Sequence, residues 1–160
     1  MHNYKYNNLQ SAYTLLELMI VIAIAGILTA VAVPNFTTMI KNNCLTTKTN
    51  NLVTHLQYAR SEATKRKENI TLTPKSGTVD WSSGWTITDA SANIIKDMTP
   101  TSCSTTTLTG SATSFFYRST GFINSAGSFD VCDNRTLEIG RQIVISTVGR
   151  PNTNSKFGCI

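Results

Sequence analysis

The chain has 160 residues, room for one domain with an appendage and too little for two independent cores. Its net charge is +5, from 14 Lys and Arg against 9 Asp and Glu, yet only 14% of residues are charged, well below the usual share of roughly a quarter. That balance excludes a charge-driven disordered chain and a histone-like basic tail, and with His2 and His55 as the only imidazoles it leaves little scope for histidine chemistry.

The first element is also the most apolar. From Leu18 to Val33 sixteen residues run without a charge, and starting at Tyr13 makes twenty-one. As a helix that is about 32 Å at ~1.5 Å per residue, enough for a hydrocarbon core of ~30 Å. Glu17 interrupts the start of the run. An acid at membrane depth costs about 2.5–3.5 kcal/mol at a helix centre and less near the interface, so it needs a partner. A secretory signal peptide cut after Ala30-Val31-Ala32 accounts for the length. It would, however, start late, hold an acid in its apolar run and have Lys5 as the only basic side chain ahead of it. A plain membrane anchor leaves Glu17 without a purpose.

The stretch Ser11-Ala12-Tyr13-Thr14-Leu15-Leu16-Glu17-Leu18-Met19, followed by the apolar run, resembles the processing and assembly signal of type IV pilins and type II secretion pseudopilins. The resemblance implies that a prepilin peptidase removes residues 1–12, cutting between Ala12 and Tyr13, and that the new Tyr13 amine is methylated. Counted from Tyr13, Glu17 is the fifth mature residue, where the family keeps its acid, and Pro34 the twenty-second, where the family usually bends its helix. Ala12 stands where the family prefers Gly, and Tyr13 where it prefers Phe. Cleavage also supplies the missing partner. In a filament of parallel helices the cationic amine of one subunit can sit beside the carboxylate of another, and two opposite charges buried together offset one another where one alone is expensive. A Glu that merely reaches the interface is the plainer alternative.

Pro34 lacks an amide hydrogen and clashes with the preceding turn, so a bend is expected there. After it, Leu45, Leu52, Leu56, Ala59 and Ala63, spaced seven, four, three and four, keep one stripe on a helix. Lys41, Lys48, Arg60, Lys65, Arg66 and Lys67 carry most of the charge. Residues 34–68 therefore read as an amphipathic helix laid on a globular head, with His55 a boundary or surface residue beside the stripe. From Asn69 short β-prone runs alternate with turn residues: Ile70 to Thr73, Trp85 to Thr88, Ser114 to Tyr117, Phe129 to Cys132 and Gln142 to Val148. Ala90 to Ala112, rich in Thr and Ser, reads as a variable loop region. The expected fold class is α+β: a long N-terminal helix, membrane half 13–33 and amphipathic half 34–68, bent near Pro34 and packed on an antiparallel β-sheet or small β-sandwich over residues 69–160.

Asn51-Leu52, Gln57-Tyr58-Ala59-Arg60-Ser61-Glu62-Ala63, Trp85, Cys132-Asp133 and Val144-Ile145-Ser146-Thr147-Val148-Gly149-Arg150, in that order along the chain, resemble the GspH, FimU and FimT group of minor pilins. In that group some members bind DNA through a C-terminal loop of the form Gly-Arg-any-Arg. Here Gly149-Arg150 fits, and Asn152 takes the place of the second Arg. The candidate DNA contacts are Arg150, Arg141, Lys156 and Arg118 as cations for phosphate, with Asn152 as a hydrogen-bonding side chain. The alternative is that Gly149-Arg150-Pro151 is a strand-ending turn with Arg150 solvated. Bulk charge does not favour a generic grip on DNA. From Asn69 onward seven basic residues face six acidic ones, whereas such a grip neutralises several phosphates at once.

Cys44, Cys103, Cys132 and Cys159 make no CxxC pair and no zinc spacing, and an even count beyond a membrane segment fits disulfides in an oxidising compartment. Of the three pairings, the preferred one joins Cys132 to Cys159, closing the C-terminal strand region on itself, and Cys44 to Cys103, fastening the helix to the head. A reduced, buried Cys44 is the alternative. There is no GxSxG elbow, Walker loop or HExxH helix, and one His remains after processing, so no enzyme, cofactor or metal is expected. Asp130, Asp133 and Glu138 read as turn and surface acids. The expectation is a minor pilin of a type IV pilus, held in the inner membrane with a periplasmic head before assembly and priming assembly near the tip. Its expected partners are other pilins and the prepilin peptidase, with double-stranded DNA as a further candidate. A type II secretion pseudopilin and a Sec-exported periplasmic binding domain are the alternatives.

Overall fold

The computed structural model describes residues 13–99, 103, 105–135 and 139–159; the leader 1–12 with Ala12, and Glu138, lie outside the described residues. The chain divides into two compact units between Met39 and Ile40. Helix α1, Leu15–Arg66, contributes to both.

In the first unit the helix is started by Thr14, whose hydroxyl accepts the Glu17 amide and whose carbonyl accepts the Leu18 amide, each at 3.2 Å. Thr14-Leu15-Leu16-Glu17 thus has the spacing of a capping box. From Tyr13 to Met39 every residue is exposed, so among the described residues of this unit none covers a side of the stretch. Its most apolar eighteen-residue window has a mean hydropathy of 2.6 and is 0% buried, a length and composition suited to crossing a bilayer. The neutral polar side chains beyond the first turn bond back to their own helix. Thr29 donates to the Ala25 carbonyl, Asn35 to Val31 at 2.9 Å, and Thr37 and Thr38 to Pro34 at 2.9 and 3.2 Å. They therefore need no water where there is none. The α-helix continues through Pro34.

In the second unit the rest of α1 packs on two antiparallel sheets. In chain order the strands are β1 Ile70–Pro74, β2 Trp85–Thr88, β3 Ile94–Met98, β4 Thr106–Gly110, β5 Phe115–Tyr117, β6 Gly127–Asp133, β7 Gly140–Ile145 and β8 Pro151–Lys156. One sheet has the order β3-β2-β1-β5 and the other β4-β6-β7-β8. Burial alternates along β1, β2, β4 and β5, as a half-covered sheet requires. The expected helix stripe closes over these inner faces, with Leu45 3% exposed and Leu52, Leu56, Ala59 and Ala63 at 0%. Where the sheets meet, Trp81 stands edge-on to Phe129 at 4.9 Å, and Phe115 lies 5.0 Å from Phe129. Trp81 belongs to neither sheet. Its amide donates to the Leu108 carbonyl at 2.7 Å and the Gly110 amide to Val79 at 2.8 Å, so the segment around Trp81 covers the free edge of β4.

The structure departs from the sequence reading at five places. Asp133, expected as a turn or surface acid, ends β6 with its side chain 2% exposed and paired with Arg135 at 2.6 Å. Ala90 to Ala112, expected as a loop region, contains β3 and β4. The fifth expected strand, Gln142 to Val148, ends at Ile145: the next residues turn back, with the Gly149 amide on Ser146 at 2.8 Å and the Ser146 amide on Arg150 at 3.2 Å. After that turn comes β8, opened by Pro151, which a strand tolerates at its first position and at a sheet edge. His55, expected at the boundary or on the surface, is 5% exposed, because Trp85 covers it edge-on at 5.7 Å.

Candidate functional site

Two regions carry the candidate residues. At the start of α1, Tyr13, Glu17, Leu18 and Val21 line a hollow of about 260 Å³. Tyr13 is 84% exposed, and among the described residues no cation is paired with Glu17. The carboxylate lies in the first helical turn, where the helix dipole favours negative charge. Its own backbone amide is capped by Thr14, a local role that the Thr-x-x-Glu spacing could have signalled.

The residues set apart for DNA are spread over the head. Arg141 on β7 pairs across with Val131 and Ser155 and has the parity of buried Ile143 and Ile145. Asn152 and Lys156 on β8 pair with Val144 and Gly140 and so occupy the opposite sheet face. Lys156 is also paired with Asp130 at 3.2 Å. Asn152 is part of a strand, not of a loop, and its amide reaches Asn154 at 3.4 Å. Arg118 is exposed just after β5, in a turn closed by the Gly121 amide on its carbonyl at 2.8 Å.

Arg150 has a neighbour that the sequence reading missed. Arg60 on α1 donates Nε to the Gly121 carbonyl at 2.9 Å. Gly149 packs against the same loop at φ +78°, where a Cβ would stand 2.6 Å from the Gly121 oxygen and 2.8 Å from the Tyr117 ring. The Tyr117 hydroxyl donates to the Gly149 carbonyl at 3.2 Å, and burial pushes its pKa up to about 12 against the opposing influence of Arg60. Around this joint Gln57, Arg60, Ser61, Thr64, Arg150 and Pro151 line an open cleft of about 610 Å³. Only the three- and four-residue spacing of Gln57, Arg60, Ser61 and Thr64 marks them in the sequence as one helix face.

Two disulfides brace the head. Cys44–Cys103 ties α1 to the segment before β4, and Cys132–Cys159 ties β6 to the residues after β8, with Cα separations of 5.8 and 5.5 Å. One turn beyond Cys44, buried Lys48 donates to the Thr106 carbonyl at 2.5 Å; desolvation lowers its pKa against the pull of Asp80. Burial, then Lys96, hold His55 below the usual imidazole range, against a backbone hydrogen bond at Asn51. Burial pushes Asp133 up, but hydrogen bonds from the Arg135 side chain and amide at 2.8 and 3.0 Å, together with the charges of Arg135 and Lys41, bring it below the ordinary carboxylate value.

Residues 48–149, well over half of the chain, match the family profile of the type II transport protein GspH. The chain belongs to the GspH family. Residues 7–33 match the prokaryotic N-terminal methylation motif, so this GspH-family chain carries the features of a pilin or pseudopilin that is processed by a prepilin peptidase and assembles with others of its kind. Two crystal forms of the type IV minor pilin FimU of Pseudomonas aeruginosa share the fold. One is 25% identical, with a TM-score of 0.63 over 74% of this chain and 97% of that one. The other is 26% identical, with a TM-score of 0.56 over 69% and 96%. No curated protein matches the sequence.

Proposed function

We propose that this GspH-family protein is a minor pilin of a type IV pilus. In this reading residues 13–33 hold it in the inner membrane until it enters the filament, where it primes assembly at or near the tip. It works without a catalytic centre, by helix packing, charge pairing and contacts between heads. The observation that carries the reading is the bare first half of α1, exposed along its length, with one acid in its first turn and, among the described residues, no cation paired with it. Such a helix is complete only among lipids or other helices. The acid then selects between the two, because the amine made by cleavage before Tyr13 on a neighbouring subunit offsets a charge that lipid cannot. The likeness to FimU along most of both chains supports a pilus as the destination.

Glu17→Ala is expected to leave the protein in the membrane fraction at its normal level and to remove it from sheared pili, read by immunoblot of both fractions. Recovery of the variant in pili at the normal level overturns the role of Glu17. A type II secretion pseudopilin is the second reading, favoured by the GspH profile match. Loss of the protein that leaves pili intact and stops secretion of folded proteins would decide for it. DNA uptake is left out of the proposal, because Lys156 is paired with Asp130 and Arg141 has the parity of the opposite sheet face.

A further inference from the structure

The cleft between α1 and the 146–150 turn is not used by the helix-based assembly just described. Two guanidiniums border it, and among the described residues neither is in an ion pair. They differ in how they are held. Arg60 is half-buried and fixed by its Nε bond to the Gly121 carbonyl, which leaves its two terminal nitrogens to donate elsewhere. Arg150 is exposed on a short hydrogen-bonded turn that Gly149 and Tyr117 dock onto the same loop. Gln57, Ser61 and Thr64 add neutral hydrogen-bonding groups from the helix face. Two preset forks with polar neighbours suit a planar anion, which guanidiniums bind with paired hydrogen bonds.

A carboxylate borne by a protein fits this cleft better than a nucleic acid backbone. The contact is one concave spot with two cations, whereas from Asn69 onward the rest of the head, Arg150 aside, balances six basic residues against six acidic. A duplex would need a row of cations. A second copy of this chain fits poorly, because its described head acids are already engaged. Glu62 is paired with Arg66, Asp97 with Lys75, Asp130 with Lys156 and Asp133 with Arg135. Asp80 and Asp89 accept the amides of Ser82 and of Ser91 and Asn93. We propose that the Arg60–Arg150 cleft receives an Asp or Glu side chain from the head of a different pilin subunit and so sets which neighbour this protein accepts in the filament. The inference rests on the assembly reading above but not on its choice of filament.

The test uses the full chain in cells that make the filament, with a photo-reactive benzoylphenylalanine at Gln57, which lines the cleft and is exposed. Illumination is expected to join it to another pilin through a peptide that contains an Asp or Glu. Arg150→Glu should cut the yield at least about tenfold, the scale of losing one partner of a charge-assisted contact, and changing the identified acid to Lys in the same cells should restore it. Arg60→Lys, which keeps the charge but loses the fork and the Gly121 bond, should also lower the yield. Absence of thiols reactive with maleimide in the denatured chain shows that each variant still formed its disulfides and folded. No adduct, an adduct indifferent to Arg150→Glu, an adduct only with a second copy, or one that nuclease removes each overturns the inference. An adduct of the expected kind with a secretion pseudopilin instead of a pilus subunit upholds the cleft and overturns the pilus as its setting.

Discussion

Gly149 and Gly158 both hold a left-handed backbone, at φ +78° and +74°, yet only the first has neighbours in the way of a side chain. They separate two costs that are usually confounded. At Gly158 a substitution meets backbone strain alone. At Gly149 it also meets the Gly121 carbonyl, an atom of the backbone that cannot swing aside. Strain of the left-handed kind costs of order 1–3 kcal/mol, so Gly158→Ala should sit at the low end of that range and Gly149→Ala at or above the high end. Thermal unfolding of the detergent-solubilised chain reads the difference. Equal losses at the two positions would mean that the turn carrying Arg150 yields easily, and that the cleft beside it is softer than the structure indicates.

Among the elements, those visible in the sequence are those whose large apolar residues alternate or recur with a period. The α1 stripe from Leu45 to Ala63 was legible because five apolar residues fall on one face, and β2 because its Trp-Thr-Ile-Thr alternation matches alternating buried and half-buried positions. Three strands escaped for physical reasons. In β3 most residues are exposed, so composition says nothing of its face. In β4, Thr fills both inward and outward positions and Leu108 is its one large apolar residue. In β8 no residue is buried and hydrogen bonding to β7 alone defines the strand. An edge strand with so little buried side chain depends on its staple. Replacing Cys132 and Cys159 together by Ser should lower stability by about 2–4 kcal/mol, with the fastest gain in amide exchange along β8. Unchanged exchange there would show that the β7 ladder suffices. The candidate site divides in the same way. The motif around Tyr13 and Glu17 could be read because it is a linear pattern, spanning residues 7–33. Arg60 and Arg150 are brought to one cleft only by the tertiary fold, and no linear spacing announces a shared cleft across ninety positions.

At the scale of the whole molecule, stability should depend on acidity with a predictable sign. His55 is held below its ordinary value, so the unfolded chain takes up this proton more readily than the folded one. Its contribution is complete above pH ~6.5 and is lost as the pH falls through the depressed folded value. Asp133, also depressed, contributes above the ordinary carboxylate range and is lost at still lower pH. The unfolding midpoint in urea should therefore drop between pH 7 and pH 5, and His55→Gln should flatten that first drop while leaving the later one. A midpoint that rises on acidification would contradict the burial of His55. The uncovered first half of α1 has a different consequence, for traffic. A subunit that leaves its filament cannot drift off through water, since doing so would wet more than twenty apolar and neutral residues at once. It can only slide sideways into a bilayer, where the same surface is at rest. Supply and return are thus confined to two dimensions, and the amount of subunit waiting in that bilayer, not its aqueous concentration, sets how much is at hand for assembly.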